Sequence, residues 1–172
     1  MKGIGWIDAL NERIGHAIAW LTLAMIIVTF GVVIGRYVFD AGRLWVQESI
    51  TWMHAAVFML GAAYTLRSGD HVRVDVFYKT LVPRRQAWID ISGTLLFLLP
   101  LCGYLIYESW PYVAQSWEIG ESSREAGGMR GLFVLKTLIP VMAVLLALQG
   151  LSDIVRAARQ LHAVPPAPPE DR

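Results

Sequence analysis

KTLIPVMAVLLALQGLSDIVR, residues 136–156, decides the fold. Between Lys136 and Arg156 the only charged side chain is Asp153, close to the far end. At about 1.5 Å per helical residue the two bracketing cations lie roughly 30 Å apart, the thickness of a bilayer's hydrocarbon core. The apolar run is continuous rather than alternating, so it does not read as a strand of a membrane barrel. Three further runs share its character. Residues 14–34 carry only His16 at their edge, residues 49–66 only His54, and residues 91–107 no charged side chain, tyrosines and Cys102 being their only ionisable groups. Each approaches the roughly 20 residues that a helix needs to cross the membrane.

Composition agrees. Of 172 residues, 55% are hydrophobic and 17% charged, against about 25% charged in soluble domains. A globule this small exposes much of its surface and could not hide so apolar a chain. The single Cys102 excludes an internal disulfide, and no Cys/His spacing suits zinc. A net charge of +1 without a basic run gives no reason to expect nucleic acid. The reading is an all-α integral membrane protein, four transmembrane helices in a bundle. Residues 1–162 form the membrane domain, and the proline-rich tail at 163–172 is expected to be disordered.

Lys and Arg counts in short loops set orientation. Lys2, Arg13, Arg67, Arg73, Lys79, Arg84, Arg85, Arg156, Arg159 and Arg172 fall on one side; Arg36, Arg43, Arg124, Arg130 and Lys136 fall on the other. Both termini are therefore expected to be cytoplasmic. The first apolar run is longer than a signal peptide's and lacks a small-residue cleavage site, so it should remain as a span. Gly31 and Gly35 form a G-x-x-x-G pair suited to close backbone approach, and Ala55, Ala56, Gly61, Ala62 and Ala63 thin the second span. Pro100 and Pro140 lead us to expect kinks. Trp20, Trp45, Trp52, Trp110, Tyr112 and Trp117 fall near span ends, as interfacial belts do.

SGDHVRVDVFY, residues 68–78, crowds Asp70, His71, Arg73 and Asp75 between two spans. It reads either as a solvated loop or as an anchoring and docking feature; its spacing matches no standard metal site. Glu48 reads as an interfacial acid that pairs with Arg36, with Arg43 or with another subunit, or that faces water. The outer segment ESWPYVAQSWEIGESSREAGGMRG, residues 108–131, reads as a recognition surface or as a membrane-surface helix ended by Gly127-Gly128. His54 reads as a packing residue. Two rival functions are a haem-binding redox subunit using His16 and His54, and a self-sufficient small-solute transporter.

Several pieces then form a pattern: RYVF (36–39), WVQES (45–49) with Trp52, FMLGAAYTLRSGDHVRVDVF (58–77), LVPRR (81–85), ESSREAGG (121–128) and KTLIP (136–140). In order and spacing they resemble the small membrane subunit of tripartite ATP-independent periplasmic (TRAP) transporters, the DctQ-like family. Many relatives carry two adjacent acids where this chain has Gln47-Glu48.

The resemblance implies an accessory subunit in the bacterial inner membrane that is neither an enzyme nor a cofactor carrier. Its partners would be membrane lipid, a large DctM-like subunit that moves organic acids on a sodium gradient, and, transiently, a soluble DctP-like binding protein. It would place Gly31, Gly35, Arg36, Trp45, Glu48, Trp52, Gly61, Arg67, His71, Arg73 and Asp75 at the subunit interface. It would place Trp117, Glu118, Glu121 and Arg124 where the binding protein docks.

Overall fold

The computed structural model describes residues 5–68, 78 and 80–163, so His71, Arg73 and Asp75 lie outside the described residues, as do 164–172 of the tail. The described chain is helical. α1 spans Gly5–Val38, α2 Leu44–Ser68, α3 Pro83–Gly93, α4 Leu99–Glu118 and α5 Leu132–Ala163. A single wide turn of π-helix, Thr94–Leu98, joins α3 to α4, making one unbroken helical stretch. Four helical stretches are long and apolar enough to cross a membrane, and each contains one of the apolar runs above. In lipid the backbone must satisfy its own hydrogen bonds, which a helix does within one segment. Local chemistry supports the ends. Pro83 opens α3 after an extended Val82, where a missing N–H costs nothing. Asp8 sits in the first turn of α1, and Arg36 and Arg67 sit in the last turns of α1 and α2, each opposing the helix dipole.

At 34 residues α1 is about 51 Å long. That exceeds the hydrocarbon thickness, so its polar first turns project past the apolar layer. Hydroxyls within the spans bond back onto their own helices: Thr29 to the Met25 carbonyl at 2.7 Å, Thr65 to Gly61 at 3.0 Å and Thr137 to Phe133 at 2.7 Å. This removes the cost of a bare hydroxyl in an apolar setting.

α1 and α2 form an antiparallel hairpin, and α5 lies at the centre, packed on α2, α3 and α4 and touching α1. Two glycines allow the closest approaches between helices. A Cβ on Gly15 would meet the Tyr64 ring at 2.3 Å, and one on Gly150 would meet Leu98 Cδ2 at 2.7 Å and Thr94 Cγ2 at 2.9 Å. Gly150 thus faces the π turn. That turn has its own cause: Pro100 lacks an N–H, and its ring would press on the carbonyl four residues back in a regular helix. One wide turn just before it, with the Leu99 N–H donating to the Thr94 carbonyl, relieves the conflict. The expected disturbance at Pro100 takes this form, whereas α5 runs unbroken through the buried Pro140.

Gly31 is exposed and has nothing within 4 Å of a built Cβ; Gly35 faces the Ala41 carbonyl of its own following turn at 3.1 Å. The pair therefore does not seat one helix of this chain on another. Gly61 does contribute to packing, facing Ile18 Cδ1 of α1 at 3.1 Å.

Candidate functional site

The polar side chains gather into two rims, one at each end of the bundle. The first joins the start of α1 to the ends of α2 and α5. Asn11 donates from Nδ2 to Gln149 Oε1 at 2.7 Å, and Gln149 donates onward to Asp8 and Asp153, both at 3.2 Å. Asp8 also accepts from Ser152 at 3.0 Å and from Arg156 at 3.2 Å, while Arg156 reaches Asp153 at 2.7 Å. Asn11 and Gln149 are only 1% and 0% exposed. Asn11 Oδ1 is buried and finds no partner among the described residues. Arg67, expected at a subunit interface, pairs at 3.1 Å with Glu12 of its own chain. A cavity of 660 Å³ opens beside this rim, lined in part by Leu66, Arg67, Asp90, Leu98 and Arg156. Tyr78 donates its hydroxyl to Asp90 there at 2.6 Å.

The second rim is built on the 119–131 loop. Helix α4 stops at Glu118, and Gly120 takes φ 56. The Glu121 N–H then bonds the Ser116 carbonyl at 3.0 Å, a glycine-capped helix end. The outer helix therefore ends before Gly120, not at Gly127-Gly128 as the sequence suggested. Gly127, at φ 80, instead supplies the left-handed position of a tight turn closed by the Gly128 N–H on the Glu125 carbonyl at 3.0 Å. Ser122 and Arg130 face each other as an isolated antiparallel pair, with the Ser123 N–H bonding the Met129 carbonyl at 3.0 Å.

Glu48, from the first turns of α2, fastens this loop. Its carboxylate accepts from Ser123 Oγ and from the Met129 N–H, both at 2.5 Å. Its partners are thus backbone and hydroxyl donors of the loop rather than Arg36 or Arg43. A Cβ on Gly128 would lie 2.4 Å from Ser123 Oγ and 2.9 Å from Glu48 Oε1, so the clasp leaves room there only for glycine. Across the loop, Glu121 pairs with Lys136 and accepts from Ser116 Oγ at 2.6 Å. Lys136 also lies over the Tyr112 ring, 3.9 Å from its centroid, a cation–π contact. The Lys136 ammonium and then the Ser116 hydroxyl hold the Glu121 carboxyl below the usual glutamate range. Trp117 donates its indole N–H to Thr137 at 2.9 Å and packs its ring 4.4 Å from that of Phe133.

The residues expected to dock a soluble partner therefore divide. Glu118, Arg124 and the Trp117 ring are exposed, whereas Glu121 is turned inward, its side chain 18% exposed. Of those expected at a subunit interface, Arg36 and Trp45 are exposed and Trp52 is half-buried. The two histidines stay apart. His16 lies beside Tyr64, its Nδ1 2.9 Å from the Glu12 carbonyl. His54 stacks on Phe58. Ten residues separate His54 from the level of Tyr64, about 15 Å along α2, so they could not ligate one haem iron together.

Asp8, Asn11, Gln149 and Ser152 escaped the sequence reading. The available signal was the spacing Gln149, Ser152, Asp153, Arg156, which sets four polar groups on one face of an otherwise apolar helix.

Chemically, the carboxylates of both rims act as acceptors that tie helices together, and the flanks between the rims are apolar. That arrangement defines a multi-pass membrane subunit held together from its ends. The chain belongs to the family of DctQ components of the tripartite ATP-independent periplasmic transporters, whose family model matches residues 25–160. It is also 30% identical over 105 residues to the C4-dicarboxylate TRAP transporter small permease protein DctQ of Vibrio cholerae serotype O1. That alignment covers 61% of this chain and 44% of the relative, so the chain matches less than half the length of that curated protein.

Proposed function

We propose that this small permease subunit is a scaffold in a three-part uptake system of the bacterial inner membrane. It steadies a large DctM-like subunit, which moves an organic acid on a sodium gradient, and its loop rim receives a DctP-like soluble binding protein. The tail rim faces the cytoplasm and the loop rim the periplasm, following the excess of Lys and Arg at the tail rim. The relative's name supports a C4-dicarboxylate as the class of cargo for the system as a whole.

The carrying observation is where polarity resides. A carrier of charged solutes places ionisable or unwound polar groups near the bilayer midplane. Among the described residues the ionic contacts gather in the two rims, where Glu12, Asp8 and Glu121 engage Arg67, Arg156 and Lys136 of the same chain. Between the rims the flanks present Trp20, Ile27 and Phe30 of α1, Phe97 of the π turn, and Tyr104 and Tyr107 of α4. Such flanks suit lipid and the helices of a neighbour.

The test is extraction of native membranes in mild detergent, followed by reconstitution. The chain should co-purify with a large polytopic protein, and liposomes holding the chain alone should take up no radiolabelled succinate. Uptake by the isolated chain, or a stoichiometric Soret band in its visible spectrum, would overturn the proposal.

A further inference from the structure

We infer that Glu48 is a positioning residue for partner docking: its carboxylate, from α2, holds the 119–131 loop in the one shape that a soluble binding protein recognises. The inference rests on the docking role proposed above and names the group that acts through that surface without being part of it. Glu48 is half-buried, while Arg124, Glu125 and Arg130 of the loop are exposed.

The geometry supports action at a distance. The loop crosses from α4 to α5 with little regular structure; Ser122 and Arg130 make its only paired backbone positions among the described residues. A short loop that presents mixed charges from irregular backbone would ordinarily order on binding, at a cost in affinity for each side chain immobilised. Glu48 lies eighty-one residues before Met129 in sequence yet takes that residue's N–H and the Ser123 hydroxyl together. It thereby fixes both arms of the loop at the level of the Ser123–Met129 backbone bond. Gly128, between those arms, has no space for a side chain against the clasp. The exposed charges are thus held in fixed positions before any partner arrives, which is the condition for steering and registering a transient complex. Glu48 touches neither the partner nor the cargo.

The experiment uses the complex of this chain with its large subunit in lipid nanodiscs and the cognate soluble binding protein as the probe. Glu48→Ala should leave co-purification with the large subunit intact, speed hydrogen exchange at the Met129 amide, and raise the half-saturating concentration of binding protein about tenfold. Glu48→Gln, which keeps one acceptor oxygen, should fall between. Rescue separates positioning from general damage. Ser122 and Arg130 form a pair flanked by backbone bonds rather than joined by them, a geometry with Cα atoms about 4.5 Å apart, within disulfide range. The triple variant Glu48→Ala, Ser122→Cys, Arg130→Cys should bind more tightly oxidised than reduced, a comparison in which the loss of the Arg130 charge is common to both forms. Unchanged affinity in Glu48→Ala, or no difference between oxidised and reduced forms, overturns the inference. Arg124→Glu tests the underlying reading separately. If that reversal leaves affinity unchanged, docking at this loop fails. If it weakens binding while Glu48→Ala does not, only the role given to Glu48 fails.

Discussion

Gly15→Ala adds one methyl group at the tightest helix crossing in the molecule. The new Cβ would stand 2.3 Å from Tyr64 Cδ2, 2.5 Å from Cγ and 2.8 Å from Cε2. Carbon atoms rest at roughly 3.5–4.0 Å, so α1 and the ring must part by more than an ångström. Because Cγ is the root of the ring, bending its tip away does not help; the whole side chain must turn or the helices must separate. Overpacking of this kind costs about 1–3 kcal/mol. Alanine returns about 0.5–1 kcal/mol through its better helix propensity. The net destabilisation is therefore roughly 1–2 kcal/mol, a fall in Tm of about 2–8 °C for a chain of this size. The assay is thermal unfolding of the purified chain in detergent, followed by tryptophan fluorescence. Tyr64→Ala is the control, since removing the ring should abolish most of the cost of Gly15→Ala and give a clear coupling between the two sites. A Gly15→Ala protein as stable as the parent would refute the reasoning. So would a deficit that persists undiminished in the Tyr64→Ala background.

Gly31→Leu, by contrast, meets open space, and the isolated chain should keep its stability within about 0.5 kcal/mol of the parent's; a loss as large as that of Gly15→Ala would place Gly31 in a helix seam. Gln149→Leu should cost about 1–3 kcal/mol, because it strips the Asn11 amide of its acceptor in a buried site. Thermal unfolding should show Asn11→Leu/Gln149→Leu to be less damaging than the two single changes summed. Acidification should loosen the loop rim. The Glu121 carboxyl is depressed in the folded chain by Lys136 and Ser116, so its contribution is complete above the ordinary glutamate pKa of about 4.3 and is lost as pH falls below that through the folded value. Trp117 fluorescence should report the change, and Glu121→Gln should remove it. Gly128→Ala should push Ser123 and Glu48 apart and speed exchange at the Met129 amide; normal protection there would show that the clasp tolerates a side chain.

The helices were legible in the sequence because lipid imposes one requirement on every residue of a span. A run such as 137–152, without a charge, announces itself in any window. The loop rim was half legible. Glu121 was picked out as an acid among acids, but linear spacing does not reveal that Lys136, fifteen residues on, turns back over it. Glu48 reads from the sequence as an interfacial acid, with Arg36, Arg43, another subunit or water offered as its partner. Its actual partners are a backbone N–H and a hydroxyl some seventy-five residues and more away, groups that every loop contains and that no pattern distinguishes.

The glycines show the same limit more sharply. Gly31 and Gly35 carry the recognised spacing, yet the close approaches fall at Gly15 and Gly150, each alone in its helix face. Spacing at four residues says that a groove exists on a helix; it does not say which helix fills it. Within this chain the buried residues of α1, Ile7, Asn11, Gly15 and Ile18, all lie in its first half, with Gly15 and Ile18 meeting Tyr64 and Gly61 of α2, while the far half of α1 presents Ile26, Ile27 and Phe30 outward. A groove left open on that same exposed half is consistent with filling by something other than this chain's own helices. The helix pairing that a small-residue pattern promises thus depends on contacts supplied by the fold, and the tail rim shows what supplies them here. Asp8 and Asn11, near the start of α1, bond to Gln149 inside the fourth span, and these contacts draw the start of α1 onto α5, the half of α1 that is buried.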